Sequence, residues 1–421
     1  MFKPLHFMLR HAVQDGSLIV YDAGGISHVY GSGGGVPLTV RLSDRAVEAA
    51  IAFDPQLAVG EAYMQGRLCV ESGTIYDVLS LIMSNMARRP LPGWMFWPSL
   101  VPSAMRRAAR RLAQFNPVPR ARRNAARHYD LDGAIYDLFL DPDRQYSCAY
   151  FTPGADLAEA QQAKKRHLAA KLALAPGQRV LDIGCGWGGL ALSLAKMADC
   201  QVTGITLSTE QLTVAQQRAQ REGLAARVRF ALDDYRNVGG AFDRIVSVGM
   251  FEHVGINHYG TFFRKVRDAL KDDGVALLHS IGRSDGPGYT NPFMAKYIFP
   301  GGYYPALSEV LPFIERSGLI VTDIEILRLH YAETLKAWRE RFLAQRAKAA
   351  ALKGETFCRM WEFYLAGAEA AFRHYGVIVF QIQMVKRIDA LPITRDYMFE
   401  TERRLAREVD RPAEPARLAG E

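Results

Sequence analysis

The sequence predicts a doubly wound α/β sheet preceded by a smaller mixed α/β domain, and three observations predict it. Strand-like and helix-like runs alternate from about residue 157 to residue 385. Within them an apolar run, Val180 to Ile183, ends in Gly184-Cys-Gly186-Trp-Gly188-Gly189, the pattern of a buried strand turning tightly beneath a ligand. Ahead of both, residues 1–104 carry short strand signals broken by Gly and Pro, without that alternation. A chain of 421 residues, 49% apolar and 10% aromatic, has core enough for two such domains.

In the first domain, SLIVYDA and PLTVRLS flank the glycine-rich Gly31–Gly35 and read as a hairpin with a flexible loop. AVEAAIAFDPQLAVGEAYMQGRLCV follows, punctuated by Pro55, Gly60 and Gly66, and then the amphipathic TIYDVLSLIMSNMARR. RPLPGWMFWPSLVP sets Trp94, Phe96 and Trp97 among prolines just before an arginine-rich linker, residues 105–127. Its eight arginines, Arg106, Arg107, Arg110, Arg111, Arg120, Arg122, Arg123 and Arg127, account for the whole net charge of +8. Such a stretch suits nucleic acid or an anionic membrane surface, where each basic residue is worth about 1 kcal/mol. Aromatic rings beside it suit headgroup depth. A solvated linker packed along a domain seam is the plainer alternative.

No uncharged apolar run is long enough to span a bilayer, and the N-terminus lacks a signal-peptide pattern, so a cytoplasmic protein is expected. The five cysteines are odd in number and lack C-x-x-C spacing, which predicts free thiols.

The second domain, residues 128–400, opens with a helix-and-loop approach through QYSCAYF and the helix DLAEAQQAKKRHLAAKLAL. Seven strands are expected in QRVLDIG, QVTGITLS, RVRFALDDY, FDRIVSVGM, GVALLHSIG, LIVTDIEILRLHY and GVIVFQIQMV. An insertion between the last two, residues 332–375, reads as two helices placed to lid the site. Residues 401–421 read as a mobile tail.

The three-glycine turn has G-x-G-x-G spacing, not the dinucleotide G-x-G-x-x-G followed by a ribose acid, so the expected ligand is S-adenosylmethionine. A turn needed only for helix packing is the bland alternative. The strand end that would supply the ribose acid reads Thr206-Leu-Ser208-Thr-Glu210-Gln211, leaving Gln211 or Thr206 as hydroxyl partner. Ser208 and Gln211 also fit a capping box. Asp234, Tyr235 and Arg236 sit where an adenine ring would be stacked, or are turn residues. Glu252 and His253, His279, and Tyr331 end three further strands. His279 lies inside an apolar run and needs a partner, since an unpaired buried polar group costs about 1–3 kcal/mol. Singly it reads as a core histidine; converging with the others it reads as a site. A metal on Glu252, His253, His258 and His279 is disfavoured, because adjacent residues leave a helix on different faces.

QYSCAYF, VLDIGCGWGG, GITLSTEQ, SVGMFEHVG, LLHSIG and HYAETLKAW together resemble the cyclopropane-fatty-acyl-phospholipid synthase family and the related mycolic acid methyltransferases, and GEAYMQG extends the resemblance into the first domain. The resemblance implies a class I S-adenosylmethionine-dependent methyltransferase fold, Rossmann-like, with an N-terminal lipid-binding domain. It implies the donor at Tyr146, Ser147, Asp182, Gly184, Gly186, Gly188, Thr206, Ser208, Gln211, Asp234, Tyr235 and Arg236. It implies a bicarbonate ion near Cys148, Glu252, His279, Ile281 and Tyr331, serving as the base that closes a cyclopropane ring. Cys148 is then a neutral thiol or backbone donor; a covalent nucleophile would need a base that the sequence does not supply. Phe151, Phe251, Tyr259, Tyr303, Tyr304, Phe372 and the loop RSDGPGYTNPFMAKYIFPGGYYP are candidate walls for a carbocation and acyl chain. The expected partner is a phospholipid membrane at its inner face, with no nucleic acid and with a homodimer implied by resemblance alone. A branched-methyl or methylene product, an RNA or small-molecule methyltransferase, and a non-catalytic lipid carrier are the competing readings.

Overall fold

The computed structural model describes residues 1–89, 104–106, 108–110, 114 and 133–409. Trp94, Phe96, Trp97, six of the eight linker arginines and residues 410–421 lie outside them.

The first domain runs α1 (Lys3–Ala12), β1 (Leu18–Tyr21), β2 (Ser27–Tyr30), β3 (Leu38–Leu42), α2 (Arg45–Phe53), α3 (Pro55–Met64), β4 (Leu68–Ser72) and α4 (Ile75–Arg88). Its sheet has the order β2-β1-β3-β4. The expected hairpin is corrected: β1 pairs antiparallel with β2, and β3 lies parallel to β1 on its other side. The tight turn comes earlier, where the Asp22 carboxylate accepts the Gly24 and Ile26 amides and Gly25 adopts φ +80°. Gly31–Gly35 instead spans the crossover that a parallel neighbour requires.

The second domain continues with α5 (Gly133–Asp137), α6 (Leu157–Lys171), β5 (Arg179–Ile183), α7 (Gly189–Ala198), β6 (Gln201–Thr206), α8 (Thr209–Arg221), β7 (Val228–Leu232), β8 (Phe242–Val248), α9 (Tyr259–Ala269), β9 (Leu270–Arg283), α10 (Leu307–Ser317) and β10 (Ile320–Ile326). After β10 come α11 (His330–Ala344), α12 (Arg346–Lys353), α13 (Glu355–His374), β11 (Val377–Val385) and α14 (Asp396–Val409). All seven expected strands form one sheet in the order β10-β11-β9-β8-β5-β6-β7, with β11 antiparallel to both neighbours. Successive residues feed opposite faces: Leu181 and Ile245 enter one core cluster, Val180 and Val246 another, so the strands are buried on both sides and read as continuous apolar runs.

The insertion forms three helices, not two. Trp338 and Trp361 are fully buried in it, and α13 also sends Ala366 and Ala370 into the core of the first domain. It packs into both cores, and Tyr364 meets the hydroxyl of Tyr146 at 2.9 Å. The loop after β9 is pinned to α3, since Glu61 accepts from Lys296 at 2.6 Å and from Tyr297 at 2.7 Å. The tail expectation is also corrected up to residue 409. Helix α14 buries Met398 and Leu405, and Glu402 pairs with His167, because its apolar positions recur with helical spacing. Two linker arginines are engaged internally, Arg106 with Asp54 and Arg110 with Glu309. No helix among the described residues is long and apolar enough to cross a membrane.

Candidate active site

The carboxyl ends of β5, β6, β7 and β8 open onto one cleft. Gly184 and Cys185 both donate to the Ile205 carbonyl at 3.0 Å, folding the turn back over β6. Gly184 holds φ +86°, and a Cβ there would press on Met250 at 2.7 Å. Gly188 begins α7 without a side-chain cap, its own amide donating to the Cys185 carbonyl at 3.0 Å. Gly189 admits the preceding loop: a Cβ would lie 2.4 Å from Gln145 Nε2 and 2.5 Å from the Asp143 carboxylate. Lys164, fully buried, fixes that loop by donating to Gln145 Oε1 at 2.6 Å and Ser147 Oγ at 2.9 Å.

The donor set suits S-adenosylmethionine. Burial pushes Asp182 up to about 7 against the opposing pull of Lys164, and its Oδ2 is buried with no hydrogen-bond partner among the described residues, so an ammonium brought beside it would ionise it. Gln211 lines the cleft and accepts the Thr206 hydroxyl at 2.8 Å through Oε1, so a ligand hydroxyl there would meet its amide N–H as a donor. The capping box is half formed: Ser208 accepts the Gln211 amide, but the Gln211 side chain goes to Thr206. Arg236 grips both oxygens of Asp234, at 2.7 and 2.6 Å, and lies over the Tyr235 ring.

A second, smaller cavity of about 40 Å³ is lined by Cys148, Glu252, His279, Ile281 and Tyr331, with Phe299, Gly302 and Tyr304 from the loop after β9. Tyr146, Ser147, Gly249 and His253 line both spaces, so the two meet there. A water needs roughly 10–15 Å³ of such volume, so the cavity suits a few waters or one small anion, not an acyl chain. Glu252 is 5% exposed; burial lifts it to about 7. Its Oε1 accepts the Ile281 amide at 2.7 Å, and its Oε2 is buried without a hydrogen-bond partner among the described residues. Burial lowers His279 well below its usual range and His253 to about 4. It raises the Tyr331 hydroxyl and the Cys148 thiol far above neutrality. These are neutral groups around one carboxyl that burial disposes toward its protonated, hydrogen-bond-donating form, a set compatible with a small oxyanion such as bicarbonate. The raised thiol weighs against a covalent-nucleophile role for Cys148.

Of the residues read from sequence, all five of the second group line the small cavity, and eleven of the twelve donor residues line the cleft. Gly188 does not. Its φ of +84° and the proximity of a Cβ to Phe230, 2.7 Å, make it a packing requirement of the turn. Ile281 serves through its amide, which is spent on Glu252. Phe251 and Tyr259 stack on each other in the core and do not line the cavity, whereas Phe299 and Tyr304 of the candidate wall loop do. Gln145, Lys164 and Trp187 near the cleft were not among the residues read from sequence; Lys164 lies in α6, whose lysines read as the polar face of an amphipathic helix but are buried. Among the described residues no three His, Cys, Asp or Glu are arranged to hold a metal ion.

The model of the family described as mycolic acid cyclopropane synthetase matches residues 118–382. A probable fatty acid methyltransferase of Pseudomonas putida is 45% identical over 285 residues, 65% of this chain and 72% of that protein. The cyclopropane-fatty-acyl-phospholipid synthase of Escherichia coli (strain K12) is 38% identical over 357 residues, 85% of this chain and 90% of that one. The solved structure of mycolic acid cyclopropane synthase CmaA1 complexed with SAH and CTAB superposes with a TM-score of 0.60 at 34% identity, covering 64% of this chain and 99% of that one.

Proposed function

The chain belongs to the mycolic acid cyclopropane synthetase family and is an S-adenosylmethionine-dependent methyltransferase, and we propose that it turns cis double bonds of unsaturated acyl chains in membrane phospholipid into cyclopropane rings. S-adenosylmethionine supplies the methyl carbon, leaving an acyl carbocation as the carbon–sulfur bond breaks toward sulfur, and bicarbonate supplies the base that removes a methyl proton so that the freed electron pair closes the ring. The observation that carries this reading is the small cavity meeting the cleft at Tyr146, Ser147, Gly249 and His253.

The chain's own residues then have distinct tasks. Asp182, Gln211 and Asp234 orient the donor; Glu252, His279 and Tyr331 hold the small anion; Ile281 holds Glu252. Tyr304, Phe299 and Tyr331 exclude the water that would trap the cation as an alcohol, each ring worth about 0.5–2 kcal/mol toward a desolvated cation. Peripheral association with the inner membrane face, through the first domain and the linker arginines, completes the reading.

Incubation with vesicles of an unsaturated phospholipid and labelled donor should give a product one methylene heavier that lacks olefinic proton signals. A retained olefin would favour the second reading, a branched methyl or methylene chain. That reading keeps the same donor and draws support from the Pseudomonas putida relative.

A further inference from the structure

Strands β9 and β11 set Gln381 directly opposite His279, both fully buried. Directly opposed residues of an antiparallel pair share a face and lie within side-chain reach, and here Gln381 Nε2 stands 3.2 Å from His279 Nδ1. Burial keeps the ring neutral, reinforced by the cations Lys164, His167 and Lys171 and opposed by Glu325. A neutral imidazole carries one hydrogen, and the partner of one nitrogen decides which nitrogen holds it. An amide N–H at Nδ1 makes that atom the acceptor and leaves the hydrogen on Nε2, the nitrogen remaining for the cavity that His279 lines.

We propose that Gln381 is a positioning residue whose amide locks His279 as the Nε2–H tautomer, so that the imidazole offers a hydrogen-bond donor to an oxyanion in the small cavity. The proposal rests on the anion-site reading above. The reverse tautomer would present a lone pair to the oxyanion and repel it. The opposite amide orientation, Oε1 toward Nδ1, would produce that reverse tautomer, so the two arrangements predict opposite results. Gln381 Oε1 has no hydrogen-bond partner among the described residues, so His279 is the contact that orients this amide.

Full-length protein labelled with 15N-histidine, its His279 signals assigned by their loss in His279→Gln, reads the tautomer without any substrate. The wild type should carry its ring hydrogen on Nε2. Gln381→Glu, which places an acceptor at Nδ1, should move the hydrogen there; Gln381→Leu, similar in size, should leave a mixture. Both variants should bind S-adenosylmethionine within about twofold of wild type, while turnover on dioleoyl phosphatidylglycerol vesicles falls about tenfold, the effect of one lost hydrogen bond. Their bicarbonate requirement should rise. A wild-type hydrogen on Nδ1, or a wild-type tautomer kept in both variants, would overturn the proposal. Wild-type protein that shows the Nε2–H tautomer but never modifies the vesicles would instead sink the functional reading.

Discussion

Burial holds the Glu252 carboxyl at about 7, so near neutrality a modest change of pH changes its charge. As a carboxylate it accepts the hydroxyl of a small oxyanion and strengthens that oxyanion as a base, so turnover at fixed bicarbonate should rise with pH through about 7. Glu252→Gln should lower turnover more than donor affinity and abolish this rise; a parallel loss of donor binding would put Glu252 in the donor cleft. The same residue makes a stability prediction whose sign is set by the raised value. A carboxyl with a folded pKa above its unfolded 4.5 contributes fully below 4.5 and loses that contribution as pH climbs through about 7. The shift corresponds to about 3 kcal/mol, so Glu252→Gln should melt above wild type at pH 8 by a margin that closes toward pH 4.5. Residues of this kind were legible because a polar side chain inside an apolar run must answer for its burial. Gln381 carries the same signal in GVIVFQIQMV, but its partner lies 102 positions away, and no spacing rule links the two.

The glycine turn is legible at the scale of elements, yet its work is divided in a way the motif does not display. Gly184 makes room for Met250, Gly188 for Phe230, and Gly189 for Asp143 and Gln145. Asp143 cannot simply retreat, since Lys165 and Arg218 hold it, nor can Gln145, bonded to Lys164. Gly189→Ala should therefore lift the loop bearing Tyr146 and Ser147, cost about 1–3 kcal/mol as overpacking, and weaken donor binding measured by calorimetry. Unchanged binding would mean that the loop is not part of the donor site. The central strands were readable because burial on both faces demands apolar runs, and the half-exposed edge strands β7 and β10 because polar residues interrupt theirs as one open face allows. Pairing in the first domain was not, because β1, β2 and β3 carry similar patterns and only the Asp22 turn decides which two form the hairpin. Helix α14 was hidden by its many charges, which outnumber the few positions, Met398 and Leu405 among them, that hold it down.

For the whole molecule, the sheet brings Cys148, Glu252, His279 and Tyr331 from four separate stretches to one small cavity beside a larger cleft. Convergence at strand ends could be anticipated from the fold class, and so could a wall from the loop bearing Phe299 and Tyr304; the separation of a small compartment from the cleft could not, because the course of that loop is set by contacts with α3. Formal charge was equally incomplete as a guide, since Arg106 and Arg110 bind carboxylates within the protein and leave fewer linker arginines for an anionic surface. The division of labour between cleft and cavity is tested most directly by turnover on unsaturated phospholipid vesicles in carbonate-free buffer, with bicarbonate then restored. Ring formation should fall while donor affinity stays constant, recover with added bicarbonate in the wild type, and recover poorly in Glu252→Gln. Undiminished ring formation in carbonate-free buffer would contradict an anion site in the small cavity.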